Sequence, residues 1–158
     1  MTEQENAAPP SARPPLPAPG SDAVFYTYRT DLSKVRALVL QHSLAAGLSE
    51  GRANDLVLAV SEVAANTLRH TDSAGRLVIW RRGGEVVCEI QDEGTITDPL
   101  AGRLRPGPDA DGGHGLWLVY QVCDQVELRS DENGTTIRMH MTIDRPDRAG
   151  DQRPVTGG

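Results

Sequence analysis

A chain of 158 residues is long enough for one domain with a sizeable core, and its formal net charge of −6 argues against a general binder of nucleic acid. No apolar run approaches the ~20 residues that span a bilayer, and the N-terminus lacks the charged and apolar regions of a secretory signal. Cys88 and Cys123 have neither a metal-like nor a redox spacing and are expected to be core residues in a reducing compartment. We therefore expect a soluble, cytoplasmic protein that binds neither membrane nor nucleic acid directly.

Both ends of the chain are predicted to lie outside the folded domain. Residues 1–20 are dominated by Pro, Ala and small polar residues, and residues 144–158 have the same character. Neither segment offers enough apolar surface to offset the entropy of ordering it, so both are expected to be disordered tails. The domain is accordingly predicted over residues 21–143.

The first predicted elements are a strand and two helices. Ala23–Arg29 is rich in aromatic and β-branched residues, which favours a strand. Asp31 is placed to cap a helix that ends at Gly47, and Ser49 is placed to cap a second helix.

The next two predicted strands form a hairpin. Arg76–Arg82 and Glu85–Asp92 alternate around Gly83–Gly84, a pair able to adopt the positive φ of a tight turn. From Glu93 to Gly113 the pattern dissolves into a loop rich in Gly, Pro and Asp. A loop of this length inside a compact domain is usually functional or mobile.

A short helix from His114 to Asp124 and a second hairpin, turning at "DENG", complete the predicted domain. The strands arrive as hairpins and not as β-α-β units, which indicates a largely antiparallel sheet. The sequence therefore predicts an α+β fold, a two-layer α/β sandwich whose mostly antiparallel, mixed sheet carries its helices on one face.

The second helix carries the first chemical signal. Its buried face is predicted, at about 100° per residue, to consist of Leu56, Val60, Val63, Ala64 and Thr67. Glu62 and Asn66 lie one turn apart at the border of that face, with Arg69 one turn further. An amide oxygen suits Mg²⁺, and a nearby carboxylate can accept a proton. A solvated helix edge would produce the same pair, so the helix alone leaves both interpretations open.

Three more short motifs follow in chain order. Asp92 ends a strand before Gly94, where its carboxylate could accept a hydrogen bond from an amino group. Asp111–Gly115 leads glycines into a helix, whose N-terminal N–H groups attract phosphate oxygens. Thr135 and Thr136 open the last strand. Each motif taken alone is also explained by ordinary turn, cap and strand chemistry.

The order of these motifs resembles that of the GHKL superfamily, the Bergerat-fold, histidine-kinase-like ATPases. The shared pattern is Glu-x-x-x-Asn on a helix, Asp-x-Gly after a strand, a flexible loop, Gly-x-Gly at a helix start and Gly-Thr-Thr on a final strand. The phrases "SEVAANTLRHT" and "GLWLVYQVCDQVEL" look most like the branch of anti-sigma-factor serine kinases. The resemblance covers about Ala23 to Ile143.

The resemblance implies a site for ATP and Mg²⁺. Asn66 would ligate Mg²⁺, Glu62 would be the catalytic base and Asp92 would bind the adenine amine. The other implied ATP-binding positions are Arg69 near the phosphates, Gly94 in the adenine pocket, Gly113, His114 and Gly115 in the second glycine box, and Thr136 on the adenine side.

The implied function is that of an anti-sigma regulator, expected to be a homodimer, which sequesters a sigma factor and phosphorylates a serine of a small antagonist protein. The chain departs from the family pattern at Ile96, where the first glycine box usually has its second glycine. Positive φ is costly for a β-branched residue, so the alternative is a nucleotide-binding module that sequesters its partner without phosphoryl transfer. The ATP-binding half of a histidine kinase is not expected, because residues 1–22 do not resemble a phosphoacceptor helix.

Overall fold

The structure is a computed structural model that describes residues 16–70, 74–94 and 114–143, without the side chains of residues 69, 70, 114 and 115. Ile96, Gly113 and the predicted C-terminal tail therefore lie outside the described residues. Most of the predicted N-terminal tail and most of the predicted loop also lie outside them. The elements follow in the predicted order, and where both bounds were predicted above they agree within two residues. They are β1 (Val24–Tyr28), α1 (Ser33–Ala46), α2 (Glu50–His70), β2 (Gly75–Arg82), β3 (Glu85–Asp92), α3 (His114–Val122), β4 (Gln125–Asp131) and β5 (Gly134–Thr142).

The described strands form one sheet in the order β1-β2-β3-β5-β4. The two hairpins account for the β2–β3 and β4–β5 pairs, and they join through β3 and β5, where Ile90 lies opposite Ile137. The predicted α+β fold class is confirmed. Every described pairing is antiparallel, so the sheet is more uniform than the mixed sheet that the sequence suggested.

Side-chain hydrogen bonds lie at the starts of the first two helices, and a glycine ends the first. The N-cap of α1 is Leu32, which has no side-chain cap hydrogen bond, and the predicted cap, Asp31, directly precedes it. Asp31 Oδ1 accepts hydrogen bonds from the Ser33 N–H at 2.9 Å and the Ser33 hydroxyl at 2.6 Å, and these two bonds lower the pKa of Asp31. Helix α1 ends at Gly47, whose φ of 113° turns the chain out of the helix. Ser49 Oγ accepts the N–H of Arg52 at 3.2 Å, as a cap for α2 should.

The main core lies between the helices and one face of the sheet. The predicted buried face of α2 is confirmed, because Leu56, Val60, Val63, Ala64 and Thr67 are all at most 2% exposed. They belong to or border a cluster that includes Val35 and Val39 from α1, Val119 from α3, and Leu77, Ile79, Ile90, Ile137 and Met139 from the sheet. Cys88 and Cys123 are both buried, as predicted, and burial raises the pKa of Cys88 well above its usual value. None of the helices within the described ranges is long and apolar enough to cross a membrane.

A buried ion pair sets the direction of α3 relative to α2. Arg52, on the first turn of α2, pairs with Asp124, which follows α3. Arg52 Nη2 also donates to the Thr142 carbonyl oxygen at 3.1 Å, and the Thr142 N–H donates to Asp124 Oδ2 at 2.6 Å. The beginning of α2, the end of α3 and the end of β5 therefore meet at one end of the sandwich. Because one helix begins there and the other ends there, α2 and α3 run antiparallel.

The face of the sheet opposite the helices is a separate environment. Glu89 and Arg138 face each other across β3 and β5, each 2% exposed, with Arg138 Nη2 2.6 Å from Glu89 Oε1. The Arg138 guanidinium also lies 4.8 Å from the centroid of the Trp80 ring. A small apolar cluster beside them comprises Val78, Trp80 and Val87, with Ala23 packed against it. This cluster is separate from the main core.

Candidate functional site

The last turns of α2 meet the end of β3 at Asp92. Thr67 Oγ1 donates to Asp92 Oδ2 at 3.0 Å, and the Gly94 N–H donates to Asp92 Oδ1 at 2.7 Å. Each carboxylate oxygen therefore has one donor, and together the two bonds fix the plane of the carboxylate. Asp92 is only partly buried, so the group that the sequence nominated for hydrogen bonding remains accessible to a ligand.

The helical pattern of the sequence predicts Thr67 in the buried arc of α2 and gives it no role in the site. Its side chain is buried, and its hydroxyl lies 3.4 Å from the Val63 carbonyl oxygen, the usual fallback acceptor for a helical threonine. The Asp92 bond is the shorter of the two. The sequence did contain a signal for this role. Thr67 carries the one hydroxyl in an otherwise apolar arc, and a buried donor requires an acceptor.

Thr135 holds the turn that follows Asp92. Its Oγ1 donates to the Gly94 carbonyl oxygen at 2.6 Å, and the Ser130 hydroxyl lies 2.7 Å from the same Oγ1. A carbonyl can only accept, so the one proton of Thr135 is committed to Gly94 and Ser130 must donate to Thr135. Gly94 is thereby held at both its N–H and its carbonyl, and the turn after β3 cannot rotate freely.

The register of β5 separates the two threonines of the Gly-Thr-Thr motif. Asp92 lies opposite Thr135, whereas Thr136 lies opposite Gln91. Side chains alternate between faces, so Thr135 shares the helix-covered face with Asp92, and Thr136 points to the other face. The arrangement thus favours Thr135 over the predicted Thr136 as the threonine on the adenine side. Ile137 and Met139 follow Thr135 at alternate positions in β5 and belong to the main core. This alternation could have indicated that Thr135, and not Thr136, lies on the helix-covered face.

Gly134 is the second residue whose role was missed. Its φ is 139°, and a Cβ added there would lie 2.2 Å from the Asp92 carbonyl oxygen. Any larger residue would push the end of β3 away or distort the turn into β5. The first glycine of Gly-Thr-Thr is therefore required for the close approach of β5 to Asp92.

Beneath this site lies a buried phenol. Tyr28 is 2% exposed and packs on Gly75, where a Cβ would lie 2.1 Å from the ring. Burial raises the pKa of Tyr28 to about 12, the adjacent Thr67 hydroxyl opposes this in part, and the charge of Asp92 adds to it. The phenol is therefore neutral at physiological pH and forms an uncharged floor next to the carboxylate.

Glu62 and Asn66 lie on α2 at the same end of the sandwich as Asp92. Asn66 directly precedes Thr67, and Glu62 is one turn earlier on the same side of the helix. Both side chains are partly exposed, as their position at the border of the buried face predicts. Asn66 is thus adjacent in the chain to Thr67, the residue of α2 that contacts Asp92. Arg69 lies on the last turn of α2, and its side chain is outside the description.

The beginning of α3 is directed to this same end. Because Asp124 is tied to the beginning of α2, and Thr67 near the end of α2 is tied to Asp92, the antiparallel α3 must begin on the Asp92 side. His114 and Gly115 open α3, as predicted, while Gly113 precedes the described helix. The start of α3 is therefore directed toward the Asp92 end of the sandwich, and the N–H groups of a helix start can bind phosphate oxygens.

Comparison with known proteins identifies the domain. The family model described as histidine kinase-like ATPase domain matches residues 27–141. The crystal structure of the RsbU and RsbW domains of Rv1364c from Mycobacterium tuberculosis is similar, with a TM-score of 0.60 and 18% sequence identity. The match covers 81% of this chain and 34% of that one, so this chain spans about a third of its length. No curated protein sequence matches. Since the family model covers most of the sequence, the chain belongs to the histidine kinase-like ATPase domain family.

Proposed function

We propose that the protein is an ATP-binding anti-sigma regulator, which sequesters a sigma factor and phosphorylates a serine of an anti-sigma-factor antagonist. The observation that carries the nucleotide part is the Asp92 carboxylate, held by Thr67 and Gly94 and still accessible. Its remaining lone pairs suit the exocyclic amine of adenine. Support for the regulatory part comes from the resemblance of the sequence to anti-sigma kinases and from the fold shared with a structure that includes an RsbW domain.

The residues on α2 fit a magnesium-bound triphosphate. Mg²⁺ keeps several waters and needs only one or two protein oxygens besides phosphate oxygens, so the Asn66 amide oxygen is sufficient as a protein ligand. Bound Mg²⁺ would neutralise charge on the β- and γ-phosphates. Arg69 and the backbone of Gly113, His114 and Gly115 would contact the phosphates.

Glu62 would act as the base for phosphoryl transfer. Its carboxylate accepts the proton of the substrate serine hydroxyl as the serine oxygen bonds to the γ-phosphorus. The bond between that phosphorus and the bridging oxygen breaks, and ADP leaves with the electron pair. The N–H groups at the start of α3 would stabilise charge on the transferred group.

The alternative is a module that binds nucleotide and a partner but transfers no phosphoryl group. It is favoured by Ile96, which replaces the second glycine of the first glycine box and lies outside the described residues. The two functions share the Asp92 site and differ only in what Glu62 does.

Nucleotide binding is tested by titrating the protein with ATP in the presence of Mg²⁺. Asp92→Asn replaces one acceptor oxygen by a donor and should weaken ATP binding about 10- to 100-fold, the size of one hydrogen bond to a charged group. Asp31→Asn is the matched control, because it makes the same chemical change at the exposed cap of α1. Equal affinities for both variants would refute the assignment of Asp92.

Phosphoryl transfer is tested after partners are recovered by pull-down with mass spectrometry, with and without Mg·ATP. The purified antagonist candidate is incubated with labelled ATP and the protein. Glu62→Gln should abolish serine labelling while ATP still binds. If the wild type labels no serine, and Glu62→Ala changes neither labelling nor partner release, the kinase proposal is wrong. Recovery of neither a sigma factor nor an antagonist would refute the regulatory role and leave the nucleotide site standing.

A further inference from the structure

We infer that Thr67 is a positioning residue which, through Asp92, makes the site select a 6-aminopurine over a 6-oxopurine nucleotide. The inference rests on the proposed function, because it assigns a role within the ATP site. Thr67 would not touch the nucleotide. It would act by holding the Asp92 carboxylate in the orientation that accepts a hydrogen bond from the base.

Two hydrogen bonds determine the orientation of the Asp92 carboxylate. Oδ2 receives the Thr67 proton at 3.0 Å, and Oδ1 receives the Gly94 proton at 2.7 Å. These two bonds fix the plane of the carboxylate and the directions of its remaining lone pairs. Asp92 is therefore oriented to accept a hydrogen bond from a ligand. The 6-amino group of adenine is a donor and can bond to the carboxylate. The 6-oxo group of hypoxanthine or guanine is an acceptor, so its lone pairs would repel those of the carboxylate.

The two donors make different contributions. The Gly94 N–H belongs to a turn that Thr135 holds from the other side, so it orients Oδ1 whatever residue stands on α2. The donor to Oδ2 is Thr67, on α2. Its side chain is 2% exposed, so water does not readily replace its hydroxyl. Without that hydroxyl, Oδ2 loses the donor on α2, and the carboxylate is less firmly held against rotation about its terminal bond.

Thr67→Val is the decisive variant, because valine keeps the β-branched shape in the buried arc and removes only the hydroxyl. Thr67→Ser keeps the hydroxyl and loses the methyl group. The affinities for ATP and for inosine triphosphate, which differ in the group at position 6, are measured by calorimetry with Mg²⁺. Their ratio reports selectivity and is insensitive to a general loss of folded protein.

The wild type is expected to prefer ATP, and Thr67→Val should reduce the preference about 10-fold, the size of one hydrogen bond to a charged group. Thr67→Ser should restore the preference to within about threefold of the wild type, since one retained hydrogen bond carries the effect. Val60→Ala is the matched control: it removes buried bulk from the same arc of α2, two turns away, and should lower stability without changing the ratio. Thr67→Ala replaces Thr67→Val if the latter does not fold.

The outcomes separate the two proposals. If the wild type prefers ATP and Thr67→Val keeps the same preference, the role of Thr67 is wrong while the proposed ATP site stands. The same holds if Val60→Ala reduces the ratio as much as Thr67→Val does, because the effect would then follow stability. If the wild type binds neither nucleotide, the proposed function fails and this inference fails with it.

Discussion

The Arg52–Asp124 ion pair offers a test of how strongly the start of α2 is held to the end of α3. The Arg52 side chain is 2% exposed and that of Asp124 is 10% exposed, so both charges are largely removed from water. Removing one partner of such a pair typically costs about 3–5 kcal/mol, because the other charge is left buried and uncompensated. The partial exposure of Asp124 places Arg52→Met at the low end, about 3 kcal/mol in the free energy of unfolding.

The companion variant, Asp124→Asn, should have opposite signs in two backgrounds. In the wild type it leaves the Arg52 cation without its counter-charge and should destabilise by about 2 kcal/mol. In the Arg52→Met background it removes the stranded carboxylate, while the amide oxygen can still accept the Thr142 N–H. There it should stabilise by about 1 kcal/mol, which gives a coupling energy of about 3 kcal/mol.

Urea unfolding followed by circular dichroism measures all four proteins. Arg52→Met should also lower Tm by about 6–12 °C, at the usual 2–4 °C per kcal/mol for domains of roughly this size. Arg82→Met, at an exposed position on β2, is the control and should lie within about 0.5 kcal/mol of the wild type. If Asp124→Asn destabilises both backgrounds equally, the pair does not provide the stability that its burial predicts.

Three further outcomes follow from single contacts. Gly134→Ala should lower stability and weaken ATP binding together, since its Cβ would meet the Asp92 carbonyl at 2.2 Å, whereas Gly84→Ala, with nothing within 4 Å, should change neither in urea unfolding and calorimetry. Native Tyr28 ionises only at about pH 12, while an unfolded tyrosine ionises near its ordinary pKa of 10.0, so stability should fall as pH rises from about 10 to about 12. Tyr28→Phe should flatten that part of the pH–stability curve, and an unchanged slope would contradict the assignment. Burial keeps the Cys88 thiol protonated, so iodoacetamide at neutral pH should leave Cys88 unmodified in the native protein and alkylate it in urea, as peptide mass spectrometry would show.

Part of the candidate site could be predicted because its polar groups stand out within a short stretch of sequence. Glu62 and Asn66 stand out as polar residues at the border of an apolar helix face, and Asp92 stands at the end of an alternating strand. The roles of Thr67 and Gly134 were not predictable in this way. Each depends on a contact with Asp92 that joins residues 25 or more positions apart in the chain. A helix pattern identifies Thr67 as buried, but it does not say which carboxylate lies above it.

The choice between Thr135 and Thr136 shows the same limit in a sheet. Both are ordinary strand residues, and a shift of one residue in register exchanges the faces on which they lie. Pairing with β3 places Thr135 opposite Asp92 and sends Thr136 to the face that holds the Glu89–Arg138 pair. The sequence predicts a site threonine in this motif, and strand pairing favours Thr135 over Thr136 for it.

The sequence by itself determined the order of helices and strands, their ends at Asp31, Gly47 and Ser49, and the buried arc of α2, because caps, turns and periodicity act over a few neighbouring residues. It also determined the fold class, since hairpins lead to antiparallel pairing. Only the tertiary structure decided how β3 and β5 pair, that α2 and α3 run antiparallel, and that Thr67 donates to Asp92. These features arise from packing between segments distant in the chain, where burial and hydrogen bonding choose one arrangement among many that satisfy the same local pattern.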